Sequence, residues 1–318
     1  MKAITSKSTG WLIGILSSAT FGLIPLFAKP VINEGVPHQA VVFYRFLIAA
    51  IMMAVLHGAM GGSFRLRKKE IFPLVILGAL YTGSAMLLFW GYSFMASGVA
   101  TVIHFMYPFF TSLILFLCFR ERIGIITIIS MVFAVFGVSL LMNLWSPNTE
   151  LHIPFSGFVI VLLSGLCYAL YIVVVQHSAV HNMPGRLLSF WVMLFASIGS
   201  VINSLIAYGE VMLLPSVSSW INISLLALVP TVVSNIALVF AVQSIGATKT
   251  AVLGAFEPLT AVMVGVFCFH EQIEAMGYWG IILIVLAVVL TVMSGQIEPK
   301  LRDYVRHLKR VITSSKMK

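Results

Sequence analysis

Charge is scarce in this chain, and aspartate almost absent. Of 318 residues only 9% are Asp, Glu, Lys or Arg, and the one aspartate is Asp303, near the C-terminus. Soluble domains carry charge on about a quarter of their residues, so a soluble catalytic domain is excluded. A lone aspartate provides no carboxylate dyad. His104 and Glu257 are acid/base groups without an accompanying nucleophile or metal-ligand spacing, which weighs against a membrane-embedded enzyme. Cys118, Cys167 and Cys268 lie inside apolar runs and form no CxxC pair, so they read as small packing residues and not as a zinc site or disulfide framework. No Walker A pattern occurs, so a nucleotide-hydrolysing motor is not indicated. The net charge of +9 comes without a basic stripe interleaved with aromatics, so nucleic acid is not an expected partner. No cofactor is called for.

Apolar residues fill the remaining space: 60% of the chain, with a mean hydropathy of +1.06. That places it among integral membrane proteins. Apolar windows of about 19 residues give ten spans, near 11 to 28, 39 to 59, 71 to 95, 98 to 119, 123 to 143, 156 to 177, 187 to 208, 219 to 244, 248 to 269 and 277 to 295. Lipid offers no partner for backbone polar groups, so runs of this length are helices. The expected fold is all-α, a ten-helix membrane bundle. Lys2 and Lys7 precede the first run, which reaches Phe27 without an A-x-A-like site and so reads as a retained span.

Seventeen of the nineteen basic residues fall on one side if the N-terminus is cytoplasmic; Lys29 lies outside and Arg45 inside a span. Both termini are therefore expected in the cytoplasm of a cell whose cytoplasmic membrane the chain crosses. The tail from 297 to 318, with "KLRDYVRHLKR", is either a topology anchor or an amphipathic segment for anionic lipid.

The two halves repeat each other. Shifted by 150, "MYPFFTSLILFLCFRERI" (106 to 123) lies on "FEPLTAVMVGVFCFHEQI" (256 to 273), with Pro108 on Pro258, Cys118-Phe119 on Cys268-Phe269, and Glu121 on Glu271. A shift of 147 sets "GWLIGILSSATFGL" (10 to 23) on "GFVIVLLSGLCYAL" (157 to 170). Each repeat, 10 to 143 and 156 to 296, holds an odd number of spans, so the second is inserted upside down. Such an inverted repeat is the plan of many secondary transporters. The linker, 144 to 155, falls on the outer side.

Ten spans in two five-helix repeats, with a proline inside each fourth span and a Glu just after it, resemble the drug/metabolite transporter superfamily and its EamA-type permeases. "YPFFTSLILFLCFRE" and "EPLTAVMVGVFCFHE" carry the resemblance. One departure is Arg120, or His270, where many relatives have Gly before the Glu. The resemblance implies alternating access around a central cavity between the repeats, and export of amino acids or other small metabolites. Exchange of sugars or nucleotide sugars is the alternative.

Candidate cavity residues share helical faces. His104, Tyr107 and Thr111 form one face; Ser164, Tyr168 and Tyr171 form another, matched in the first span by Ser17 and Phe21. Tyr81, Ser84 and Trp90 in the third span and Asn235 in the eighth complete the set. Helix-to-helix gluing is the competing reading for each. Glu257 lies mid-span, where an ionisable group is costly and faces a cavity or a partner. Three roles are open to it: proton coupling, contact with a substrate amine, or repair of the backbone around Pro258. Arg45 either snorkels to the headgroups or acts as counter-charge to substrate or Glu257. Lys249 opens the ninth span, where a cation suits an entering anionic group or the membrane edge. Glu121 and Glu271 read as structural caps of the spans that follow them. Partners are a small-molecule substrate, the bilayer and protons for coupling, with a homodimer open. Phosphorylated substrates call for convergent cations, and only Arg45 and Lys249 qualify, so amino acids are favoured.

Overall fold

The computed structural model describes residues 7–91, 93–94, 100, 103–121, 123–141, 154–269, 275–291 and 293. Among these every regular element is helical. The linker core, Glu271 and the basic tail lie outside the described residues.

Among the described residues, six helical stretches are long and apolar enough to cross a bilayer. They comprise α1 (Lys7–Phe21) running on into α2 (Ile24–Asn33), α3 (His38–Ala59), α4 (Lys68–Gly91), α7 (Phe155–His177), α8 (Gly185–Tyr208), and α9 (Val217–Ala227) continuing into α10 (Ser234–Ile245). Shorter helices carry the other four spans: α5 (Tyr107–Phe119), α6 (Ile125–Leu141), α11 (Ala247–Leu253) with α12 (Phe256–Phe269), and α13 (Ala275–Thr291). The fold is that of ten transmembrane helices in two inverted five-helix repeats.

Proline accounts for the interruptions, since it lacks the N–H of the helical ladder but fits a first turn. Pro25 sits in the first turn of α2, after the Gly22–Leu23 break. Pro108 stands likewise in α5, after a break at Phe105–Met106, and Pro258 in α12, after Gly254–Ala255. The last two breaks fall at equivalent places in the two repeats. Pro230 has no counterpart break; it widens the eighth span into a π-helical stretch, Leu228–Val233, between α9 and α10. There the Thr231 hydroxyl donates to the Leu226 carbonyl at 2.8 Å.

The helices interlock across the pseudo-two-fold axis. α1 packs on α10 as its counterpart α7 packs on α4; α3 packs on its own counterpart α8, and α5 on α11. Where α5 ends, Arg120 takes a left-handed conformation with φ 54°, and its N–H and that of Glu121 return to the Leu115 carbonyl. Glycine adopts this conformation at least cost, so the departure at Arg120 keeps the cap geometry at some strain. Large apolar side chains such as Phe72, Phe155, Ile206 and Phe267 stand exposed, as a lipid-facing surface requires.

Candidate functional site: a charged, aromatic-walled cavity

Arg45 and Glu257 come from different repeats and line one cavity of about 60 Å³, together with Phe21, Ile24, Tyr81, Ser84, Ala85, Leu88, His104 and Tyr168. Arg45 is 4% exposed. Its Nε donates to Thr231 Oγ1 at 2.7 Å and its Nη2 to the Pro230 carbonyl at 3.4 Å. The π-helical stretch therefore supplies the guanidinium with partners that a regular ladder would have tied up. Its positive end also lies 5.5 Å from the Phe46 ring. These contacts hold the guanidinium inside the bundle.

Glu257 stands in the first turn of α12, where the helix dipole favours a carboxylate. Its own N–H bonds to the Gly254 carbonyl at 2.9 Å. The carboxylate is within electrostatic reach of Arg45, Tyr81, Tyr107 and Tyr168. Of the three roles open from sequence, repair of the backbone accounts least for a side chain turned into the cavity.

The walls are aromatic. Tyr168 meets Tyr107 edge-on at 4.8 Å, His104 at 5.7 Å and Phe21 at 6.5 Å between ring centroids. Behind it Tyr171 and Tyr81 lie 5.1 Å apart, and Tyr81 meets Phe46 at 5.3 Å.

Several residues singled out in the sequence sit elsewhere. Ser17 and Ser234 exchange reciprocal hydrogen bonds, each hydroxyl to the other's carbonyl at 2.8 Å, and so pin α1 to α10. Thr111 donates to the Tyr107 carbonyl in its own helix. Asn235 is fully buried between Tyr171 and Ser189, accepting from Ser189 Oγ at 2.8 Å and donating to Tyr171 Oη at 3.1 Å. Ser164 lies behind His104. Trp90, 55% exposed, borders a separate cavity of about 400 Å³ with Pro37, His38 and Ser93. Tyr107 seals the wall by resting on Gly254. Ala85 and Leu88 were not singled out, although they continue the helical face of Tyr81 and Ser84 at i+4 and i+7.

The sequence pattern of the EamA-like transporter family matches residues 8–143 and again residues 155–293, one match to each repeat. The chain belongs to the EamA-like transporter family.

An uncharacterized transporter of Synechocystis sp. is 25% identical over 260 residues, covering 76% of this chain and 74% of that protein. A solved crystal structure of a protein superposes with a TM-score of 0.75 at 16% identity, over 93% of this chain and 99% of that one; at this identity the likeness concerns the fold alone.

This EamA-like transporter holds a second polar cluster at the end of the bundle where α1 begins. Glu121 accepts from Gln176 Nε2 at 3.0 Å, with His177 Nε2 also 3.0 Å away. Its carboxylate thus joins the end of α5 to the end of α7. The Gln176 side-chain carbonyl accepts the Ala247 N–H, which ties α7 to the α10–α11 connection. Phe119 stacks on His177 at 3.9 Å. Lys249 lies over the Trp11 ring and lines a cavity of about 150 Å³ with Glu121, Thr127 and Gln176. Nothing in the sequence spacing signalled Gln176 or His177.

Proposed function

We propose that this protein is a secondary active transporter that moves amino acids or closely related small metabolites outward across the cytoplasmic membrane by alternating access, coupled to protons through Glu257. The observation that carries this reading is the pair of opposite charges, Arg45 from the first repeat and Glu257 from the second, facing one aromatic-walled cavity where the repeats meet. A guanidinium suits a carboxylate, a carboxylate suits an ammonium, and the rings suit a partly apolar side chain. Membership of a transporter family supports transport over catalysis, and no group of three His, Cys, Asp or Glu among the described residues is arranged to hold a metal.

A cavity of about 60 Å³ holds water rather than a metabolite, since small-molecule sites run to about 300 Å³ or more. The arrangement is therefore contracted, and binding needs the broken helices to separate. Hinges at Gly22–Leu23, Phe105–Met106 and Gly254–Ala255 lie beside the cavity and suit that movement. Exchange of sugar phosphates or nucleotide sugars is less well supported, because Arg45 is the one cation lining this cavity among the described residues. Outward direction and cytoplasmic termini rest on the resemblance and on the placement of Lys and Arg. A flux screen of the reconstituted protein across amino acids, sugars and purines tests the substrate class; uptake of sugars or purines without amino acids would overturn it.

A further inference from the structure

His104 lies one residue before the Phe105–Met106 break and is 7% exposed. Its Nδ1 is 2.7 Å from Ser164 Oγ, and Ser164 Oγ in turn is 3.0 Å from the Ser84 carbonyl. Both contacts are hydrogen bonds at once in only one arrangement of protons. A carbonyl only accepts, so in that arrangement the single hydroxyl proton of Ser164 goes to Ser84. The proton between Ser164 and His104 must then belong to the imidazole, on Nδ1. A neutral ring carries one N–H, which leaves a lone pair on Nε2.

The surroundings hold the ring in this pose. Gly165 sits against the His104 backbone, so close that an added Cβ would come within 2.8 Å of its carbonyl oxygen. The rings of Tyr107 and Tyr168 flank the imidazole at 5.8 and 5.7 Å. Nε2 has no hydrogen-bond partner among the described residues, while His104 lines the cavity shared by Arg45 and Glu257.

We propose that Ser164 is a positioning residue that fixes His104 in the Nδ1–H tautomer, so that Nε2 accepts an N–H from the bound solute and selects for a primary ammonium group. The inference deepens the amino-acid reading and rests on it for the identity of the solute. An ammonium presents three donors, enough for Glu257 and His104 together. A trimethylated nitrogen keeps the charge but offers no donor, and His104 discriminates against it.

The test has two arms, both on the full chain. In the first, ¹⁵N spectra of histidine-labelled protein in nanodiscs report the tautomer directly, with the His104 signal assigned by its loss in His104→Gln. The expected pattern is Nδ1–H in the wild type and in Ser164→Thr, and a mixed or reversed pattern in Ser164→Ala. An Nε2–H pattern in the wild type, or an unchanged pattern in Ser164→Ala, overturns the proposal. In the second, proteoliposomes are assayed with L-leucine and with its N,N,N-trimethyl derivative. The preference for leucine is expected to fall about tenfold in Ser164→Ala, the effect of one hydrogen bond to a charged group, and to return in Ser164→Thr. Equal loss of both fluxes gives Ser164 a purely structural role and overturns the proposal. Should the wild type carry neither compound, the amino-acid reading fails, and the spectra alone decide the positioning role.

Discussion

The Tyr107 hydroxyl occupies the space that a side chain on Gly254 would fill: a Cβ added there would come within 1.4 Å of Oη. Each residue stands at the break of its own repeat, so the contact joins the two broken helices across the pseudo-symmetry axis. Gly254→Ala must displace Tyr107 or bend α11 away, which costs about 1–3 kcal/mol as an overpacking change. Thermal melting in detergent is expected to show the loss. Tyr107→Phe alone removes only the hydroxyl, and the double variant Tyr107→Phe/Gly254→Ala is expected to recover part of the stability. Additive effects of the two changes would mean that the contact does not couple them.

Ser17 and Ser234 offer a contrast, because their reciprocal hydrogen bonds join helices away from the cavity. Ser17→Ala is expected to lower stability by about 0.6 kcal/mol, the average for such bonds between membrane helices, with the KM for the transported solute unchanged. A changed KM at unchanged stability would return Ser17 to the cavity wall.

At the opposite end of α2, the carboxylate of Glu34 accepts from Ser216 Oγ at 2.6 Å and from Ser219 Oγ at 2.7 Å. These two hydroxyls hold its pKa below the usual value of 4.5. A depressed carboxyl stabilises the fold at pH above its unfolded pKa, and the contribution disappears as pH falls through the lower folded value. Glu34→Gln is therefore expected to melt below the wild type at pH 7 and to converge with it under acid conditions below about pH 4. Melting curves at several pH values provide the check, and a gap that persists in acid would assign the effect to something other than ionisation.

Gln176 bridges Glu121 and the Ala247 N–H, and so ties the end of the first repeat's fourth span to the start of the second repeat's fourth, the ninth of the chain. Gln176→Ala is expected to loosen this end of the bundle. A cysteine placed at Thr250, which is 2% exposed, would then react faster with a thiol reagent, in a background where the native cysteines are replaced. An unchanged rate would show that the bridge does not hold the bundle closed.

The fold was legible because lipid makes the pattern simple. Long apolar runs must be helices, and the match of Pro108 to Pro258 shows the repeat in the sequence itself. The site was legible where a residue was chemically out of place: Arg45 and Glu257 are costly in a span, and both line the cavity. Small polar residues were not separable in this way. Ser17, Ser84 and Ser164 look alike in sequence, yet one joins helices, one lines the cavity and one bonds His104. Their roles depend on helix rotation and on partners 60 or more positions away, to which a helical period is blind. The π-helical stretch at Pro230 was likewise hidden, since proline announces an interruption but not its form.

Glu257 is proposed as the proton-coupling group beside the substrate. The most direct measurement is amino-acid accumulation in proteoliposomes driven by a proton gradient, compared between wild type and Glu257→Gln, with counterflow measured alongside. The expected result is gradient-driven accumulation by the wild type and its loss in Glu257→Gln, while counterflow of the same solute persists. Gradient-driven accumulation by Glu257→Gln equal to the wild type at every pH would contradict it.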